Sequence, residues 1–319
     1  MTEQWRPLTE ADAKEWVRLV QAAEAVDRTG EHADADDFAE LAHSARMDLA
    51  TGSVGVFRGD ELVAGGVAWI EPGARGPHRV SLDGVVHPDA RRAGLGHRLL
   101  TELERLGHAR HAATVPGLPL VLTVLCHDGN PGKAVMLAAA GYAPQRWFFD
   151  MRRELTDEPA AVPVPDGVRL VPYPVDDEPV RVAFNEFFAE HWGHADATAA
   201  AWHHTTHGHA ARPDLSFLLH DQAGEIAAFV ISHYFPADHE QSGVKELWIP
   251  HVGTRKSLRG KGLATALLVH AMRAARAAGF ERAALSVDAD NATGALGVYE
   301  RVGFGVTSRW TSYGKRPER

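Results

Sequence analysis

The strongest constraint on this chain is that it repeats. Arg91 and Arg259 lie 168 positions apart, and so do Gly94 and Gly262. Asn130 precedes Asn291 by 161 positions, and Gly141 precedes Gly303 by 162. The contexts match as well. VVHPDARRAGLGHRLLTELERLGHA, from Val85, and VGTRKSLRGKGLATALLVHAMRAA, from Val252, both carry Arg-x-x-Gly-x-small followed at once by an amphipathic helical pattern. Further on, HDGNPGKAVMLAAAGY corresponds to DADNATGALGVYERVGF. Landmarks in one order at nearly one offset indicate a tandem duplication, so the chain is expected to fold as two copies of one unit.

Length and composition agree. The 319 residues are enough for two domains of typical size, about 150 residues each. A composition of 45% hydrophobic and 24% charged residues lies in the globular range and excludes a disordered chain. Pro159, Pro163 and Pro165 crowd ELTDEPAAVPVPDG, a run that stiffens an exposed connection and cannot supply ladder donors. The expected division is therefore residues 1–155, a proline-rich linker 156–167, and residues 168–319. Cys126 is the single cysteine, which excludes an internal disulfide and suits a reducing compartment. No apolar run approaches the ~20 residues of a membrane span, and the start lacks the basic head and apolar core of a signal peptide. The expectation is a cytoplasmic protein without a membrane partner. A net charge of −9 argues against nucleic acid, so GKRPER at the end and ARRAGLGHR on the first loop read as a solvated terminus and a phosphate-facing loop.

Within each half the elements follow one order. SVGVFRGDELVAGGVAW is two alternating runs around Gly59-Asp60, a hairpin signal, and LSFLLHDQAGEIAAFVISHYF matches it with a turn at Ala223-Gly224. A strand then enters the glycine loop (HRVSLDGVV; KELWIPHVG), followed by a helix, another strand and a short helix ending at glycine and an aromatic. The order α-β-β-β-α-β-α predicts an α/β fold of the α+β type, a mixed sheet flanked by helices.

A glycine loop leading from a strand into a helix suits anion binding. The helix start offers unpaired N–H groups and a partial positive charge, and glycine lets a ligand approach the backbone. Arg259-Gly260-Lys261-Gly262 adds two cations. The same corner also needs glycine for steric reasons alone. A Walker loop is absent, and neither Gly94-x-Gly96 nor Gly260-x-Gly262 has the third glycine of a dinucleotide fingerprint.

Arg-x-x-Gly-x-Gly/Ala after a strand resembles the acetyl-CoA signature of the GNAT superfamily of N-acetyltransferases, and NATGALGVYERVGF, from Asn291 to Phe304, resembles that family's last strand–helix segment. Two copies in tandem resemble the mycothiol synthase-like acetyltransferases. The resemblance implies acetyl-CoA as donor and an amine of a small molecule as acceptor. It implies that backbone amides of Lys261, Gly262, Leu263 and Ala264, beside Arg259 and Gly260, hold the diphosphate. Val252 and Thr254 at the strand end would flank the donor, and Asn291 would contact its pantetheine side. Arg91, Arg92, Gly94 and Gly96 form the corresponding loop of the first half.

Acetyl transfer needs a deprotonated amine, since at a pKa of about 10 only about one amine in a thousand is neutral at pH 7. It also needs an oxyanion donor and a proton for the leaving thiolate. The family's tyrosine donor lies four residues before the glycine of Gly-Phe, which is Tyr299 in the second half and Leu137 in the first. The second half is thus the expected catalytic one. Glu246 is the first candidate for the base and His251 the second. Asp288 ends the next strand; each of the three also fits a structural part. His191, His194, His203, His204, His207 and His209 crowd one segment, but no glutamate completes His-Glu-x-x-His and no cysteine is near, so no metal site is expected. Phe184, Phe187, Phe188, Trp192 and Trp202 read as packing, with Trp192 able to face an acceptor. Two other readings stay open at this point: a CoA-binding regulatory or scaffold protein with two degenerate acetyltransferase domains, or the same fold with another acyl donor. The acceptor's identity and the oligomeric state are not legible in the sequence.

Overall fold

A computed structural model describes residues 2–44, 46–71, 73–74, 76–290 and 294–316. The chain forms two compact units: Met1–Trp147 together with Trp310–Arg319, and Phe148–Arg309.

The first unit begins with β1 (Gln4–Arg6), α1 (Ala13–Asp27), α2 (Ala35–His43) and α3 (Leu49–Gly52). The hairpin β2 (Ser53–Arg58) and β3 (Glu61–Trp69) turns at Gly59-Asp60, as the alternation predicts. Then follow β4 (His78–Val86), α4 (Leu95–Thr114), β5 (Leu120–His127) and α5 (Pro131–Ala139). Strands β1 to β4 pair antiparallel in order, and β4 runs parallel to β5. Leu95, Leu99, Leu103 and Leu106 recur at helical spacing, so α4 presents one apolar stripe to Val80, Leu82, Leu122 and Val124 of the sheet. On the other face Trp16, Leu19 and Phe38 cover Phe57 and Leu62.

The second unit repeats this plan with β7 (Val168–Pro172), α6 (Glu178–Phe188), α7 (Ala199–His207), β8 (Phe217–Asp221), β9 (Ile226–His233), α8 (Pro236–Ser242), β10 (Glu246–Thr254), α9 (Leu263–Ala277), β11 (Arg282–Asp288) and α10 (Ala295–Arg301). Strands β7 to β10 are antiparallel, and β10 runs parallel to β11. One face packs Leu247, Ile249, Ala283 and Leu285 against Leu267, Leu268, Ala271 and Met272 of α9. The opposite face packs Leu218, Phe229 and Ile231 against Val180, Phe187 and Trp202 of α6 and α7.

The last strand of each repeat departs from the expected boundaries at 155 and 168. In β6 (Ala143–Glu154), residues from Phe148 onward belong to the second unit, where Phe148 to Glu154 pair antiparallel with Asp288 to Arg282 of β11. In β12 (Gly305–Lys315), residues from Trp310 belong to the first unit, where Trp310 to Lys315 pair with His127 to Leu122 of β5. Each repeat thus gives its final strand segment to the sheet of the other. An alternating strand has the same pattern whichever partner its backbone finds, so composition marks the proline run instead. That run also lies on the second unit: Arg276 of α9 donates to Leu155 O and Thr156 O, and Arg273 donates to Pro159 O.

Gly253 pairs directly with Phe229, and a Cβ there would meet the phenyl ring at 2.5 Å. The ring is fully buried. Gly253→Ala is expected to destabilise the second unit by about 1–3 kcal/mol, the range of overpacking; an unchanged midpoint in denaturant unfolding would show that the core yields.

Candidate active site

Two glycines shape the loop that ends β10. Gly260 and Gly262 have φ of 76° and 82°, the left-handed region that a side chain resists. Little stands near either one: an added Cβ would meet nothing within 4 Å at Gly260 and only Pro165 at 4.0 Å at Gly262. Backbone conformation therefore demands these glycines, and the space above them is open. Gly262 caps α9 without a side-chain acceptor, so the N–H groups of Leu263, Ala264 and Thr265 begin the helix without intrahelical partners. Together with the exposed Lys261, they make a cradle that fits a diphosphate.

Arg259 has another task. Its Nε donates to Thr254 O at 3.3 Å and its Nη2 to Phe187 O at 2.9 Å, clasping the strand end to the last turn of α6. These two contacts hold the loop's shape. Arg91 does the same in the first unit, donating to Val86 O and forming a two-pronged pair with Asp27 at the end of α1. There Arg92 stands where the second unit has Gly260, and it is forced to φ 63°. Gly94, at φ 78°, caps α4, and Gly96 packs against Met136.

Between the parallel strands lies a gap. The β10–β11 ladder runs only from Glu246↔Arg282 to Trp248↔Ala284. Beyond it, β10 carries one extra residue between Trp248 and His251 relative to β9, a bulge containing Pro250, which has no N–H to donate. Val252 and Thr254 lie past the bulge on the strand that leads to the cradle. Backbone groups along this open edge of β10 are available to a ligand or water.

Tyr299 sits on α10, half-buried against the α9 core with its ring edge-on to Phe304. Burial pushes its phenol up to about 12, so it keeps its proton at neutral pH. Leu137, the corresponding residue of the first unit, is wholly buried. Asn291, expected on the pantetheine side, lies outside the described residues.

Glu246 stands at the start of β10 on the face away from α9. Arg152 Nε of β6 donates to its Oε2 at 2.9 Å, and Arg282 Nε donates to the same oxygen. Oε1 is left without a protein donor among the described residues. Register puts Asp150 opposite Ser286 and Phe148 opposite Asp288, and Trp192 lies 6.2 Å from Phe148 between ring centroids. His251 is separated from Glu246 by the bulge and sits edge-on to Phe184 and Phe188 at 4.9 and 5.9 Å. Burial, with His233 and His191 nearby, pushes its imidazole down to about 3, so it is neutral at pH 7. Of the crowded histidines, His203 and His207 stack at 4.3 Å on the exposed side of α7. Spacing did not single out Arg152 and Arg282; only the sheet brings them to Glu246.

Matching the two sheets at their last parallel pair, Ser81↔Thr123 and Trp248↔Ala284, shows what the first unit lacks. Arg79 and Val121 stand where the second unit has Glu246 and Arg282. Gly314 and Ser312 stand where it has Arg152 and Asp150. Strand β4 pairs with β3 without a bulge.

A gapped parallel pair, a glycine-shaped helix start and a half-buried phenol form the arrangement expected of an acyl-CoA-dependent transferase. The family model described as "Acetyltransferase (GNAT) family" matches residues 13–120 and 178–304. The mycothiol acetyltransferase of Gordonia bronchialis is 32% identical, over 90% of this chain and 89% of that protein. That of Mycolicibacterium paratuberculosis is 30% identical over 98% of both. Among solved structures, a GCN5-related N-acetyltransferase from Sphaerobacter thermophilus is 25% identical with a TM-score of 0.78, covering 99% of this chain and 97% of that one. A tandem GNAT protein from the clavulanic acid biosynthesis pathway, 18% identical with a TM-score of 0.75 and complete coverage of both chains, shares the fold. The chain belongs to the GNAT acetyltransferase family in its tandem form and is an N-acetyltransferase. No helix among the described residues is long and apolar enough to cross a membrane.

His251 gives this unit an acid sensitivity. The unfolded chain binds the imidazole proton near the ordinary value of 6.5, the folded chain only near 3, so stability falls as pH drops through that window. The thermal midpoint of His251→Gln is expected to fall less between pH 6.5 and 4 than that of the unsubstituted chain. Parallel curves would assign the sensitivity elsewhere.

Proposed function

We propose that the second unit transfers an acetyl group from acetyl-CoA to the amine of a small molecule, and that the first unit does not react. The observation that carries this reading is the asymmetry of the copies. Cradles of the same shape occur in both, whereas Tyr299, Glu246 and its two arginines occur together only in the second. The relatives named mycothiol acetyltransferases make the amine whose acetylation yields mycothiol the first acceptor to try.

In this reading the amides of residues 261–264 hold the donor's diphosphate and the thioester lies in the gap beyond Trp248. Glu246, through Oε1 and directly or by way of a water, removes the proton from the acceptor ammonium. The amine nitrogen attacks the thioester carbonyl carbon, and an N–H of the open β10 edge stabilises the oxyanion. As the C–S bond breaks, Tyr299 gives its proton to the thiolate, the nitrogen loses its remaining extra proton to water, and the phenol regains its own from solvent. A phenol pushed up to about 12 remains a donor across the physiological range. The base is assigned to Glu246 over His251 because a neutral imidazole pushed down to about 3 is a weak proton acceptor.

Steady-state kinetics of Tyr299→Phe should show kcat lower by about 10²-fold or more, the scale of lost acid catalysis, with KM for acetyl-CoA little changed. A variant as fast as the parent chain would remove Tyr299 from the proton path.

A further inference from the structure

Strand β6 brings charged residues of the first repeat into the second unit. Arg152 shares Glu246 Oε2 with Arg282 and also donates from Nη1 to Thr307 Oγ1 at 3.0 Å. Thr307 Oγ1 in turn donates to the backbone oxygen of Asp150 at 3.3 Å. The guanidinium is thus held from two sides, with its side chain 20% exposed and that of Glu246 12% exposed. Two donors on one carboxylate oxygen fix the plane of the carboxylate and aim the other oxygen away from both. A lone surface ion pair contributes little and leaves its partner mobile; a fork on a largely buried carboxylate is an orienting device.

The duplication supplies an internal comparison. At the matching places the first unit has Arg79 for Glu246, Val121 for Arg282 and Gly314 for Arg152. Carboxylate and both arginines are absent together, in the copy that also has Leu137 for Tyr299. An ion pair needed only to hold this sheet together would serve either copy.

We propose that Arg152 is a positioning residue for the acetyl transfer: by holding Glu246 through Oε2 it presents Oε1 to the acceptor amine, so a side chain of the first repeat completes the active site of the second. This rests on the reading of Glu246 as the base.

The test is a double-mutant cycle in the full-length chain, with Arg152→Met, Glu246→Gln and the pair. It measures kcat, KM for each substrate and the thermal midpoint. Arg152→Met is expected to lower kcat by about tenfold or more, within the range that misplacement of a reacting group reaches. KM for acetyl-CoA should stay within about twofold, and on the Glu246→Gln background Arg152→Met should cost almost nothing further, as for residues that act as one unit. Arg152→Lys, which keeps the charge, should recover part of the loss, and it replaces Arg152→Met in the cycle if the latter does not fold. Equal losses on both backgrounds, or no loss in the parent chain, would overturn the positioning role while leaving Glu246 as the base. An undiminished rate for Glu246→Gln would instead overturn the base reading, and this inference with it.

Discussion

Three residue pairs of parallel ladder hold β10 to β11, and the site depends on where that ladder stops. Beyond Trp248 the backbone of β10 is paired, among the described residues, on one side only. An edge of unpaired N–H and C=O groups inside a sheet is costly unless something occupies it, which in the proposed reading is the donor's thioester arm. A bulge at Pro250 breaks the strand's register, Gly253 lets it lie against Phe229, and Arg259 ties its end to α6 ahead of the cradle. In the proposed reading, the gap is where donor and acceptor meet between Tyr299 and the cradle.

Much of this could be read from the chain. Hairpins at Gly59-Asp60 and Ala223-Gly224, the strand–loop–helix corners and the short helices before Gly141 and Gly303 all follow from local periodicity and turn chemistry, which act over a few residues. Tyr299 is singled out by its spacing before Gly303-Phe304, and the structure puts it on the short helix that this spacing predicts. Pro250 is the signal from which the bulge could be read, since proline is poorly placed inside a paired strand, although alternation alone shows only a strand there. What stayed hidden was pairing at long range. Nothing in the alternation of β6 says which sheet it joins, and Arg152 meets Glu246 across 94 positions of chain. The charge of Arg259 is readable in sequence, whereas its two carbonyl acceptors are not.

Two copies kept one scaffold under different demands. Core positions of β5 and β11 are filled alike, with apolar residues facing α4 and α9. The opposite face diverges, carrying charge in the second unit where the first has Val121 and Gly314. Packing tolerates such replacement because it asks only for volume and apolarity. Proton transfer requires particular atoms at particular distances.

The reciprocal exchange of final strands bears on how such a chain arose. A single-repeat ancestor that surrendered its last strand to a neighbour would be complete only as a pair, and the pair would fall apart on dilution. Fusing two copies end to end turns that encounter into a step within one molecule, at an effective concentration set by the connection, on the order of millimolar for a short flexible tether. Once each partner is supplied by the same gene product, the two copies need no longer be identical. One can change where the other does not, as Leu137 opposite Tyr299 and Val121 opposite Arg282 show, and still lend the other the strand without which its sheet would be unfinished.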